Sequence, residues 1–465
     1  MLAPDVLASI SASCDAVRAG ATAGTLSSIH RRRDQLTRLR DLLVHHTDDL
    51  ARALRADLGK SAHEAYTTEI GFTISEIDYA LKHLKAWTSP RKVKLPTHQR
   101  PGTGQILPRP LGTVLIIAPW NYPVQLVLAP LIPALAAGNT AVIKPSEVAP
   151  ATAALIAQLI PEYLDSDVVK VVTGGVAETT ELLSKPWDHI FYTGNPTVGK
   201  IVLKAAAEHL TPVTLELGGK SPAIVTRSAN VAVAARRIAW GKFLNAGQTC
   251  VAPDYVLVDA EVADEFEAAL VESVKRFYGD DPAQSNDYSR IINTRHHDRL
   301  MALLDGEGYD EVLTGGTGSR AELYIAPTIL GGVSPEAQVM ADEIFGPILP
   351  VIRVDSADEA VEFVNARPHP LAMYPFTEDV DEATAIIEAT LAGGVVVNHT
   401  LFHLTVPTMP FGGVGTSGMG SYHGEAGFNT FSHDQPVLRR PTSPDLSLAY
   451  PPYTKMGRAI LRKLF

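Results

Sequence analysis

Cysteine is almost missing from this sequence: Cys14 and Cys250 are the two in 465 residues. One disulfide at most excludes a cross-linked secreted scaffold, so a reducing, cytoplasmic setting is the default expectation. No long apolar run is present either. The most apolar stretch, Val124 to Ala137, falls short of the roughly 20 residues of a membrane helix and contains Pro130 and Pro133. A buried segment is predicted there, with no stable membrane insertion. The Arg18 and Arg31 to Arg33 region flanks no apolar core of a signal peptide. Excess positive charge is also lacking. A formal charge of −11 disfavours nucleic acid as a partner.

What is present reads as a globular protein, 46% apolar and 20% charged, too long for one ordinary core. From about Thr25 to Trp87 the pattern is helical, with Leu36, Leu39, Leu42 and Leu43 on one stripe. A Pro- and Lys-rich stretch from Ser89 to Pro110 follows, most simply a strand or hairpin. Short apolar runs then alternate with helical stretches: Thr113 to Ala118, Ala141 to Lys144, Val168 to Val172, His189 to Tyr192 and Val213 to Leu217. A second series runs through Ala223 to Thr226, Tyr255 to Val258, Leu349 to Val354, Met373 to Thr377 and Gly394 to Asn398. The fold class predicted is α/β, two doubly wound parallel-sheet lobes meeting near Gly218 and Gly219. After Pro407 the chain is Gly-rich, and no regular helix is expected before a short amphipathic one at the C-terminus, carrying Lys455, Met456, Arg458 and Ile460. That tail suits docking on the protein better than weak peripheral contact with a membrane.

Several segments carry chemistry. Cys250 sits between Gly247 and Pro253, on a break where a thiol reaches a cleft, although a lone cysteine is more often a small buried thiol. Glu216 ends a strand that runs into Gly218 and Gly219, so its carboxylate points to the crevice where open α/β sheets bind ligands. The blander alternative pairs it with Lys220. Gly194-Asn195-Pro196-Thr197-Val198-Gly199-Lys200 follows a strand and opens a helix, a weak phosphate-binding signal. It is no P-loop, since Ile201 lacks the Mg²⁺-binding hydroxyl, and Pro196 breaks the dinucleotide glycine pattern. Asn121, in Pro119-Trp120-Asn121-Tyr122-Pro123, is either an oxyanion donor or a turn residue bonded to its own backbone. Lys144 and Glu147 end another strand and suit ribose hydroxyls, as ordinary surface residues also would. His399 and His403 stand four apart, but the strand-like context and the lack of a third ligand predict no metal site.

Taken together, Glu216-Leu-Gly-Gly-Lys-Ser-Pro222 followed by Cys250 resembles the signature pair of the aldehyde dehydrogenase superfamily. Ala118 to Pro123, Lys144 to Glu147, Thr193 to Gly199, Glu343 to Pro347 and Pro410 to Gly413 match that family's blocks in order. Cys250-Val-Ala-Pro-Asp-Tyr255 and Gly420-Ser-Tyr-His-Gly424 are similar to the class 3 branch, which acts on aromatic or medium and long aliphatic aldehydes.

The resemblance implies roles. Cys250 is the nucleophile, Asn121 the oxyanion donor and Glu216 the water-activating base. Lys144 and Glu147 contact the adenosine ribose, and Gly194, Asn195, Val198 and Gly199 lie beside the pyrophosphate. Trp120 joins the cofactor site, with Glu343 and Phe345 at the nicotinamide ribose and ring. NAD is favoured over NADP because Glu147 repels a 2′-phosphate. The substrate pocket is expected to take Tyr122, His399, Phe402 and His403; Pro196 and His399 depart from the branch's usual pattern.

It further implies a homodimer with this domain scheme: 1–88 and 111–217 for the dinucleotide, 218–405 for catalysis, 89–110 and 406–445 as oligomerisation arm and Gly-rich return, and 446–465 as tail. The rival readings are a CoA-acylating or reductive relative using the same thioester, and a catalytically silent nucleotide-binding or structural dimer.

Overall fold

The computed structural model describes residues 2–443, 445 and 450–464, and of residues 463 and 464 the backbone alone. Positions 446–449 and 465 of the expected tail lie outside the described residues. Five α-helices between Pro4 and Thr88 open the chain, the last two joined by a π-turn at Tyr66–Ile70. Their leucine stripe packs on the helix Gln125–Ala137, every residue of which is buried. The apolar segment with two prolines is therefore buried, as expected, and it is helical. Among the described residues no helix is long and apolar enough to cross a membrane.

Two sheets dominate. The first has six strands in the order 418–419, 213–216, 189–193, 113–117, 140–144 and 169–171. All pairs are parallel except the short antiparallel edge 418–419. Chain order reverses at Thr113–Ile117, and such a reversal opens a ligand crevice at the carboxyl ends of the strands. The second sheet has seven strands in the order 311–314, 328–331, 348–354, 255–259, 222–225, 372–376 and 394–395, parallel but for the first. A third, antiparallel sheet joins Arg91–Val93, Thr103–Pro110 and Ser432–Arg439, the last two aligned from Ser432 opposite Pro110 to Arg439 opposite Thr103.

Four details differ from the sequence reading. Glu311–Thr314 and Thr328–Gly331 are strands that the apolar pattern did not announce, and the strand expected over Gly394 to Asn398 pairs through Gly394–Val395 alone. The Gly-rich return does contain a helix, Gly424–Thr430. A Cβ at Gly427 would lie 2.9 Å from Pro133 Cγ, so glycine there serves close packing of this helix on the buried one. The C-terminal helix Lys455–Leu464 forms, and on it Met456 is 74% exposed and Ile460 37%, so these two apolar side chains are not covered by the chain as docking would require.

Candidate active site

The candidate residues come from opposite strand ends of the two large sheets. Asn121, Lys144, Gly194 and Glu216 lie at or just beyond the carboxyl ends of first-sheet strands. Gly218, Cys250 and Glu343 precede the amino ends of the second-sheet strands 222–225, 255–259 and 348–354. A crossover at Gly218 and Gly219 thus brings residues far apart in sequence into one cleft.

Cys250 is reached through a strained turn. Asn245, Ala246 and Gly247 have φ of 53°, 49° and 74°, three successive left-handed residues, and such strain persists where surrounding contacts over-determine it. Gly247 is needed because a Cβ would lie 2.2 Å from the Gly346 carbonyl oxygen. This contact ties the cysteine turn to the Glu343–Pro347 segment. Burial pushes the Cys250 thiol well up, and the Glu343 and Glu216 charges push the same way. The N–H groups of Cys250 and Val251 face the sulfur and oppose that rise. Two donors at the sulfur suit a thiolate and the oxyanion it generates.

Glu216 is 2% exposed, and neither carboxylate oxygen has a hydrogen-bond partner. Burial alone raises it well above the usual carboxylate range. The alternative pairing with Lys220 is overturned: Lys220 Nζ binds Asp254 Oδ2 at 2.6 Å and the carbonyls of Val339 and Asp342 at 3.0 and 2.9 Å. An unpartnered buried carboxylate is costly in an apolar interior, and such groups cluster at functional sites. Asn121 is equally buried, and its amide nitrogen donates to the Gln248 carbonyl at 3.0 Å. It is bonded across the cleft rather than to its own turn.

Beside Cys250 opens a cavity of about 470 Å³ with a mainly apolar wall. Tyr122, Phe411, Tyr422 and Trp240 line it, and Phe402 and Thr405 stand at its exposed side. Of the four pocket residues expected from sequence, Tyr122 and Phe402 line this cavity and the two histidines do not. His399 stacks behind Phe402 with ring centroids 3.9 Å apart. His403 packs on Phe411, both ring nitrogens without a partner, and burial lowers it to about 4. His423, which the sequence reading did not single out, lines the cavity and is held by Glu76 at 3.1 Å.

Trp120, Lys144, Glu147 and the Gly194 to Gly199 turn follow first-sheet strands around the switch point, and Glu343 and Phe345 precede the second-sheet strand 348–354. Lys144, nearly buried, pairs with the more exposed Glu147 at 2.5 Å. Asn195 caps the helix Pro196–Ala207, its Oδ1 accepting the Val198 N–H at 3.0 Å. Gly199 is required less by a phosphate than by packing, since a Cβ there would meet Leu217 Cδ2 at 2.9 Å. Trp120 meets Phe345 edge-on at 5.4 Å and His296 at 4.9 Å. Burial raises Glu343 to about 8, opposed by a Gly219 N–H bond and by Lys220 and Lys242. A helix N-terminus, a strand-end lysine and carboxylate, and an aromatic pair at a switch point fit the phosphate, ribose and ring of a dinucleotide.

Comparison with known proteins closes the description. The model of the aldehyde dehydrogenase family matches residues 6–437. The chain is 47% identical over 444 residues to "Aldehyde dehydrogenase, dimeric NADP-preferring" of Canis lupus familiaris, covering 95% of this chain and 97% of that one. It is 48% identical over 422 residues to "4,4'-diaponeurosporen-aldehyde dehydrogenase" of Staphylococcus aureus, covering 91% and 92%. Among solved structures, "Substrate bound state of Staphylococcus Aureus AldH" superposes with a TM-score of 0.95 at 44% identity, over 98% of this chain and 99% of that one.

Proposed function

The chain belongs to the aldehyde dehydrogenase family, and from that premise we propose that this NAD(P)-dependent aldehyde dehydrogenase oxidises aromatic or medium to long aliphatic aldehydes to acids through a thioester on Cys250. The observation that carries the reading is a thiol on a strained turn beside an apolar cavity, with the unpartnered carboxylate of Glu216 acting on it.

In this reading Cys250 Sγ attacks the aldehyde carbon as the thiolate. The negative charge moves to the aldehyde oxygen, where the Cys250 N–H and the free N–H of the Asn121 amide hold it. The dinucleotide supplies the hydride acceptor. Loss of hydride leaves an acyl thioester on Cys250. Glu216, kept proton-seeking by burial, takes a proton from water, whose oxygen attacks the thioester carbon; the C–S bond breaks, releasing the acid and leaving the Cys250 thiolate, and Glu216 then gives its proton up to solvent. Lys144 and Glu147 would hold the ribose, the Gly194 to Gly199 turn the pyrophosphate, and Glu343 and Phe345 the nicotinamide end.

A CoA-acylating relative would use the same thioester, but it gains nothing from a base beside that bond, and Glu216 favours hydrolysis. NAD(P)H formation from an aldehyde without CoA, with the acid as product, is the expected result; an absolute CoA requirement would exclude the proposal. Dimerisation through the 89–110 arm, in a reducing cytoplasmic setting, completes it. Support comes from the largely exposed third sheet, from a relative named dimeric, and from two cysteines that are both free. A mass measurement in solution tests the dimer.

A further inference from the structure

We propose that Lys60, Glu64 and Glu69, from the helical cover, are positioning residues that set the oxyanion hole by acting through Asn121 and the turn before Cys250. The inference rests on the reading of Asn121 as an oxyanion donor. The side chains of Lys60 and Glu69 are both 0% exposed and pair at 2.5 Å. Lys60 Nζ also donates to the Asn121 carbonyl at 3.1 Å and lies 3.9 Å above the Tyr122 ring. The other Glu69 oxygen accepts the N–H groups of Val124 and Gln125 at 2.8 and 3.2 Å. One ion pair therefore fixes both ends of the segment that carries Asn121.

Glu64 holds the opposite wall. Its Oε1 accepts the backbone N–H of Asn245 at 2.8 Å, and its Oε2 accepts Ser289 Oγ at 3.0 Å. Asn245, left-handed itself, donates its side-chain amide to the carbonyls of Asn121 and Gln248 at 2.8 and 3.1 Å. Asn121 in turn donates to the same Gln248 carbonyl. One N–H of the Asn121 amide is thus committed. Because a carboxamide is planar, that bond fixes the direction of the other N–H.

Two further points favour positioning over simple stability. Replacing a buried ion pair by apolar residues is often neutral or stabilising, so such a pair is weak evidence for a stability role. The π-turn Tyr66–Ile70 follows Glu64 and contains Glu69. On a regular α-helix residues five apart diverge by more than a third of a turn, whereas the wider π-turn brings them to one side; π-bulges are frequent at functional sites.

The test is a double-mutant cycle on the full chain, read as the rate of the first-turnover burst of NAD(P)H. Its members are wild type, Asn121→Ala, the paired variant Lys60→Met/Glu69→Gln and the triple variant. The pair is changed together because Lys60→Met alone strands a buried carboxylate. In the wild-type background the pair is expected to slow the burst roughly 10- to 100-fold with dinucleotide affinity unchanged. In the Asn121→Ala background it should change the rate less than about threefold. Glu64→Gln, which keeps one acceptor and puts an amide donor in place of the other, should show the same coupling and serves if the paired variant fails to fold. Equal losses in both backgrounds, or no loss in wild type, would overturn the positioning role. Failure of the underlying reading looks different: Asn121→Ala alone would then leave the burst near the wild-type rate.

Discussion

The carboxylate of Glu343 occupies the space that a side chain at position 218 would need: a Cβ on Gly218 would lie 2.0 Å from Glu343 Oε2. The crossover between the sheets and the expected nicotinamide-end carboxylate are thereby made one unit. Gly218→Ala should displace Glu343, whose tip is flexible, without unfolding the chain. Loss of a hydrogen bond from a charged acceptor costs about 1.5 to 3 kcal/mol, so dinucleotide affinity should fall by tenfold or more with little change in Tm. Titration by fluorescence and thermal unfolding check both halves.

Thiol reactivity should climb with pH. Burial first, then the Glu343 and Glu216 charges, raise the Cys250 pKa, so the thiolate fraction of the cofactor-free enzyme grows on the alkaline side. Glu343, itself raised to about 8, opposes thiolate formation once it has ionised. Glu343→Gln should therefore shift the alkylation profile of Cys250 with iodoacetamide to lower pH. An unchanged or upward-shifted profile would remove Glu343 from the thiol's environment.

Cofactor choice should hinge on Glu147. Its repulsion of a 2′-phosphate is blunted by Lys144 at 2.5 Å, which argues for use of both NAD and NADP rather than NAD alone. Glu147→Gln should raise kcat/KM for NADP relative to NAD several-fold, since a like charge is removed while Lys144 stays. A fall in that ratio would show that Glu147 does not face the ribose.

Acid should destabilise the fold through His189. Burial lowers it to about 4, and its Nδ1 has no partner. The unfolded chain binds a proton near pH 6.5 that the folded one refuses, so this contribution is complete above 6.5 and is lost as pH falls towards 4. The loss is roughly 3 kcal/mol at its limit. Denaturant unfolding of His189→Gln between pH 4 and 7 should show a flatter acid limb than wild type.

Sequence patterns reached some of these features and not others for identifiable reasons. Glu216 and Cys250 were legible because each lies in a short contiguous block at a strand end, and Gln125–Ala137 because its apolar run is unbroken. Lys60, Glu64 and Glu69 were not, because charges on helices and in the loops between them ordinarily mark a solvated face. Their burial depends on a π-turn and on loops at 121–125 and 245 that no local period announces. His399 and His403 stood near the expected entrance in sequence, yet left-handed Asn398 and Leu401 and a 3-10 turn at Phe402–Thr405 put Phe402 at the cavity and the imidazoles behind it. Glu311–Thr314 is a half-exposed edge strand, too short and polar to stand out.

The central claim is a thioester on Cys250 that Glu216 hydrolyses, and intact-protein mass measurement on Glu216→Gln tests it most directly. After mixing with a bulky aldehyde and NAD, the account predicts one burst of NADH, slow turnover, and a mass gain of the acyl group that is absent from Glu216→Gln/Cys250→Ser. Wild-type turnover by Glu216→Gln with no adduct, or the same adduct without Cys250, would contradict it.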